Sequence, residues 1–310
     1  MKFFCLLITF LFIFEIVVMS QDQNIKVESE YNSDKSVSFK FEKKNFGTYY
    51  LQLNFKYLEN ANSIGYKGNI TGYTGKLITI KPIDPQKPIS FSYNYSYIRG
   101  KLNAKIDTGF VYLLPVSRGK TINVLNHSFL YSQYFGSQKP RNWKSFKFEV
   151  SEGDTVFSSR KGLVVEVNEG FDPDTAVVYA SKNNAVLIEH EDGSFARYSV
   201  LKKGSVMVKP GETVYPHTPI AIAGTFNRAG DTQISFQIYY LVEDNIEKKE
   251  NSIKNMQHYF SYVDPVFHTS SGDMHLKGYQ NYSADFNLEH IAKELTKREK
   301  KKLGIMPLEN

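Results

Sequence analysis

The side chains best able to hold a metal or move a proton are seven histidines and one cysteine in 310 residues. The histidines stand at positions 127, 190, 217, 258, 268, 275 and 290. Peptide hydrolysis by zinc needs three His, Asp, Glu or Cys ligands, an open position for water and a nearby base or oxyanion partner. Ligand pairs are usually one to four residues apart on one strand or helix, yet the chain contains no His-x-His and no His-x-x-x-Asp. Dispersed histidines of this kind read as structural or surface residues. The run Gln233-Ile234-Ser235-Phe236-Gln237 offers amides and a hydroxyl on alternate residues, groups that form hydrogen bonds but do not grip a divalent ion.

The elements that must position such residues are strands. Val37–Phe41, Tyr49–Phe55 and Ile89–Tyr95 alternate with period two, separated by turn signals at Asn45-Phe46-Gly47, 65–75, Asp84-Pro85 and Arg99-Gly100. This spacing predicts a small β-sandwich over residues 21–110. A second domain begins at Val111-Tyr112-Leu113-Leu114-Pro115 and runs to 243; between Phe146 and Tyr240 short strands alternate with Gly and Pro turns and no helical period appears. An extension over 244–310 follows, where Val263–Phe267 reads as a closing strand or turn. In it Leu288, Ile291 and Leu295 fall at helical spacing and lead into Lys297-Arg298-Glu299-Lys300-Lys301-Lys302. That charge run reads as a solvated helix end. The fold class expected is all-β: a sandwich, an antiparallel β domain and a short helical extension.

Met1-Lys2, the apolar run Phe3–Met19 and Ser20 have the layout of a secretory signal peptide over residues 1–20. Cys5 lies inside that run, so the mature chain is expected to carry neither disulfides nor thiolate metal sites. No later segment is long and apolar enough to span a bilayer. The formal charge is +6 with a pI near 9.0, a surplus that favours anionic surfaces. Nucleic acid fits poorly, because the chain is read as exported and has no recognition motif.

Six segments occur in an order that resembles the lysostaphin/LytM-type peptidoglycan endopeptidases over residues 112–242. They are Glu152-Gly153-Asp154-Thr155-Val156, Gly162–Val167, Asn184–Gly193, Ala196–Leu201, Val208–Val214 and Gln233–Gln237. The resemblance implies an Asp ligand six residues before Gly153, where this chain has Lys147, and a first His ligand near Trp143. It implies a His-x-His motif where the chain has Gln233 and Ser235. It also implies a catalytic-site histidine in a Tyr-Ala-His-Leu type motif, which reads Tyr198-Ser199-Val200-Leu201 here. His190 matches a histidine of the family that looks structural. By this reading Trp143, Lys147, Val200, Gln233 and Ser235 are vestiges of a zinc site, no cofactor is expected, and no residue is assigned to catalysis.

What the old groove keeps is a binding set: Lys147, Ser199, Gln233, Ser235 and Gln237, donors and acceptors with one cation suited to a carboxylate. The alternative for Lys147 is an ion pair with Glu149 or Glu166. The expected function is a non-catalytic LytM-like protein of the periplasm or cell envelope that binds peptidoglycan or an envelope or outer-membrane protein complex. Family relatives with lost ligands include activators of cell-wall amidases, so regulation of wall remodelling and a structural place in an assembly both remain open. The competing reading is an active zinc-dependent peptidoglycan endopeptidase.

Overall fold

The computed structural model describes residues 24–126, 142–172, 183–225, 231–242 and 259–305. The expected signal peptide with Cys5, and also His127 and His258, lie outside these residues. The N-terminal strands are β1 (Ile25–Tyr31), β2 (Val37–Lys43), β3 (Tyr49–Glu59), β4 (Tyr66–Ile70), β5 (Thr74–Ile80) and β6 (Ser90–Arg99). They form two three-stranded sheets, ordered β1-β2-β5 and β4-β3-β6. Val37, Phe39 and Phe41 from one sheet and Leu51 and Leu53 from the other share one buried cluster, so the sheets pack face to face as a sandwich. The period-two pattern produces this, because alternate residues of each strand point at the opposing sheet.

The central strands are β7 (Val111–Leu113), β8 (Thr121–Asn126), β9 (Phe146–Glu149), β10 (Thr155–Phe157), β11 (Gly162–Asn168), β12 (Ala185–Glu189) and β13 (Phe195–Ser199). They continue with β14 (Thr213–Val214), β15 (Pro219–Ile222), β16 (Gly224–Thr225) and β17 (Thr232–Leu241). After them come β18 (Phe260–Tyr262), β19 (Val266–Thr269), β20 (Gly272–His275), β21 (Gln280–Ser283) and two short helices, α1 (Leu288–Ala292) and α2 (Lys297–Lys302). One large sheet runs β14-β11-β12-β13-β17-β9-β8-β21, with β16 and β18 also paired to β17. Two strands from beyond residue 244 therefore belong to this sheet, β21 paired to β8 and β18 paired to β17, while β19 runs parallel to β7 in a separate three-stranded sheet ordered β20-β19-β7.

One face of that sheet is the main core. Phe146, Phe148, Ala196, Tyr198, Ile234, Phe236 and Ile238 all point into it and are buried. Their neighbours in sequence point the other way. At the β11–β13 end that second face packs on the sandwich: Val165, Leu187 and Phe195 cluster with Phe46 and Tyr239. The backbone N–H of Thr48 donates to Glu189 Oε2 at 2.8 Å, and Arg99 pairs with Glu166 at 3.1 Å.

Gly47 sits at this junction with φ +87°, and a Cβ there would lie 2.7 Å from Val165 Cγ1 and 2.6 Å from Glu189 Oε2. Gly47→Ala thus combines a left-handed backbone with a steric clash, and is expected to cost about 2 kcal/mol. A denaturant titration checks this; a wild-type midpoint would mean that the sandwich does not pack here.

Candidate functional site

The polar residues of the second face fall into rows fixed by strand register. Lys147 on β9 lies opposite Ser235 on β17, and Ser235 lies opposite Ser199 on β13. One step along, Gln233 lies opposite Glu149, and one step the other way Gln237 lies opposite Arg197. Directly opposed residues in antiparallel strands hold their Cβ atoms about 4.5–5.5 Å apart. Residues 147, 199, 233, 235 and 237, scattered over 90 positions of sequence, are therefore one patch.

The patch is only partly open. Gln233, Ser235 and Ser199 are buried, whereas Lys147, Glu149, Arg197 and Gln237 are half-buried. Lys147 Nζ stands 3.7 Å from Glu149 Oε1, so of its two expected acidic partners the cation takes Glu149. Beside Glu149 a cavity of about 510 Å³ opens between Lys120, Thr121, Ser151 and Asp231.

Arg197 was not expected from the sequence, although it stands two residues before Ser199 on the same strand and so on the same face. Among the described residues it has no hydrogen-bond or ion-pair partner, and its charge acts on Tyr239 and Tyr262. Burial pushes both phenols up, and they remain neutral at physiological pH.

Two of the expected positions do not join the rows. Trp143 precedes β9 and packs on Tyr262, with ring centroids 4.6 Å apart. Val200 leaves β13 with φ +66°, a left-handed conformation unusual for a β-branched residue, and its carbonyl accepts the N–H of Gly224 at 2.8 Å. Its place is set by this turn and not by the alternation of the strand.

The donor set of the rows is an ammonium, a guanidinium, two amides, two hydroxyls and one carboxylate that is already ion-paired. Zinc takes imidazole, thiolate or carboxylate ligands, so this set does not fit the ion. Neither described histidine of the central domain lies on these three strands. His190 is buried with Nδ1 2.7 Å from the Lys161 carbonyl, and His217 stacks on Phe157 with centroids 4.1 Å apart.

Another cavity, of about 540 Å³, lies elsewhere, between the sandwich and the β11–β12 end of the sheet. None of the expected site residues lines it. Volume alone is a weaker guide than the register that groups chemically matched side chains, so the rows on β9, β17 and β13 are the better candidate.

Residues 141–251 match the model of peptidase family M23. No curated protein matches the chain. Among solved structures, lysostaphin is similar at 21% identity over 31% of this chain and 36% of its own, with a TM-score of 0.26. A zinc-containing peptidase from Vibrio cholerae is similar at 15% identity over 69% of this chain and 74% of its own, with a TM-score of 0.30. The M23 metalloprotease pseudoalterin is similar at 16% identity over 57% of this chain and 92% of its own, with a TM-score of 0.30. The chain thus spans little more than a third of lysostaphin's length. The stretch 141–251 carries the resemblance to LytM/lysostaphin-type M23 peptidases that the motifs imply, on an all-β framework. Among the described residues no helix is long and apolar enough to cross a membrane.

Proposed function

We propose that this chain is a non-catalytic LytM-like protein of the bacterial envelope that works by binding. In this reading Trp143, Lys147, Val200, Gln233 and Ser235 occupy positions that hold zinc or act on substrate in active relatives. The observation that carries the proposal is the row Lys147–Ser235–Ser199, with Arg197 and Gln237 beside it. With Glu149 paired to Lys147, the ammonium and the guanidinium leave one net positive charge beside neutral donors, which in a partly buried site attracts a carboxylate and repels a metal cation. The ligand is a peptide carboxylate, either on peptidoglycan or on an acidic loop of an envelope protein. The positive surplus of the chain favours its approach to such surfaces.

The test has two arms. Supplied with zinc, the purified protein is expected to leave cross-linked muropeptides uncut; cleavage that a chelator abolishes would make it an endopeptidase and end this reading. In the binding arm, purified peptidoglycan and solubilised envelope proteins are offered separately, and retention on one of them is expected. Lys147→Glu combined with Arg197→Glu is expected to weaken that retention at least tenfold, because it reverses both charges that face the ligand. Retention unchanged in this variant, with its thermal midpoint intact, would move the binding site off the sheet face.

A further inference from the structure

Two histidines and an aspartate, none within four residues of another in sequence, meet in the C-terminal part of the fold. His268 on β19 and Asp273 on β20 are register partners, so their side chains share a face. His268 Nδ1 lies 2.5 Å from Asp273 Oδ1. His290 reaches them from α1, with its ring centroid 3.9 Å from that of His268 and the planes inclined by 33°. One ligand atom from each of the three residues lies within 4.8 Å of the others. We propose that His268, Asp273 and His290 form a site for a borderline divalent transition-metal ion, zinc above all.

The donor chemistry fits such an ion. Two imidazoles and one carboxylate are a set that zinc, nickel and copper accept and that calcium and magnesium do not favour. Three protein ligands leave a fourth position for water. The arrangement is also framed from behind. Phe267 and Thr269, on either side of His268, are 0% and 2% exposed, which fixes the strand that presents the first imidazole. Asp273 is half exposed, its side chain retaining 50% of its accessible surface against 17% for His268.

Metal–nitrogen bonds near 2.0–2.1 Å hold tetrahedral ligand atoms roughly 3.4 Å apart, so the 2.5 Å contact of His268 Nδ1 with Asp273 Oδ1 must open while the wider separations, which reach no more than 4.8 Å, close. Rotation of Asp273 and of the His290 ring provides this movement. His290 Nδ1 accepts the Asn287 N–H at 3.2 Å, and binding exchanges this long hydrogen bond for a metal bond. The Asn287 side chain still accepts the N–H groups of Glu289 and His290, so α1 keeps its cap. An ion here would tie α1 to the β19–β20 hairpin, four residues before Glu294, which grips the central domain. The site lies outside residues 141–251, and it differs in place and in donors from the rows on β9, β17 and β13.

Untagged protein stripped with EDTA and dialysed, then titrated calorimetrically with zinc chloride, tests the proposal. Cobalt chloride in parallel reports ligand geometry through its visible absorption. One zinc per chain is expected, with a dissociation constant on the order of 10 µM or tighter, and zinc should raise the thermal midpoint. His268→Ala and His290→Ala are each expected to weaken binding at least tenfold, and Asp273→Asn by less, with metal-free midpoints near that of the parent. Absence of zinc binding overturns the site. So does stoichiometric zinc that survives both histidine variants. If such zinc is lost instead in Gln233→Ala or Ser235→Ala, the ion sits on the sheet face, and the binding-only reading of that face fails as well.

Discussion

Arg160→Ala is expected to remove about 3–5 kcal/mol of folding stability, measured as a shift in a denaturant unfolding midpoint. The arginine lies in the turn between β10 and β11 with its side chain 3% exposed. Its Nη1 donates to Asp192 Oδ2 at 2.8 Å and to the Tyr112 oxygen at 3.2 Å. Its Nε and Nη2 both reach Glu294 Oε1, at 3.1 and 2.7 Å. The guanidinium carbon sits 3.9 Å over the Phe110 ring. Burial alone would raise the pKa of Asp192, but the Ser194 hydroxyl and Arg160 outweigh it and hold the carboxyl below its usual range.

Truncating the arginine leaves two poorly hydrated carboxylates without a counter-charge, and this uncompensated charge is the source of the cost. Glu294 follows α1, so the same arginine fastens the C-terminal segment to the domain. Lys161 adds a second tie, 2.8 Å from Glu299. Arg160→Lys is expected to recover only part of the loss, because a lysine cannot donate as a planar fork or stack on Phe110. A double-mutant cycle with Glu294→Gln should give a coupling of about 1–3 kcal/mol. A cost for Arg160→Ala below about 1 kcal/mol, in the range of exposed pairs, would show the network to be solvated.

Acid is the second lever. The His190 Nδ1 is 2.7 Å from the Lys161 carbonyl, which can only accept, so Nδ1 carries the proton. Nε2 is then a buried lone pair with no hydrogen-bond partner among the described residues. Burial, and then the charge of Arg160, push the His190 pKa down from 6.5 to about 3. Between these values the unfolded chain takes up a proton that the folded chain refuses. Stability from this group is therefore complete above pH 6.5 and falls as pH drops from 6.5 toward 3. The linkage slope is about 1.4 kcal/mol per pH unit.

His190→Asn keeps a donor for the Lys161 carbonyl and removes the titration. Urea unfolding at pH 7, 6, 5 and 4 should show the wild type losing stability faster than this variant. Parallel curves would mean that His190 is protonated in the folded state. His217 adds to the slope of both proteins, since burial lowers its pKa as well, and it cancels in the comparison.

The strands were legible because burial on one face leaves a period of two in the sequence. The run Tyr49-Tyr50-Leu51-Gln52-Leu53 becomes β3, and Phe146-Lys147-Phe148 becomes β9 with both phenylalanines in the core. The C-terminal helix was legible in kind but not in form. Leu288 and Ile291 fall in α1, Leu295 is buried between the helices, and the basic run forms α2 separately. The place of β19, β20 and β21 was not legible, because four-residue strands carry too little pattern to reveal their partners. Arg197 was passed over for a related reason: its identity suggests a surface charge until its strand is known to lie beside β17.

The sequence by itself determined which chemistry is available on the sheet face, since an amine, a hydroxyl and an amide are what they are in any fold. It also determined which residues alternate, and so which could share a surface. Only the tertiary structure decided which of them meet. Register across β13, β17 and β9 sets Lys147 against Ser235 and Ser199, and the β19–β20 hairpin with α1 gathers His268, Asp273 and His290. Local sequence fixes the direction of a side chain relative to its own strand. Its distant neighbours depend on how strands pair, which is settled by the burial of whole faces and not by any short motif.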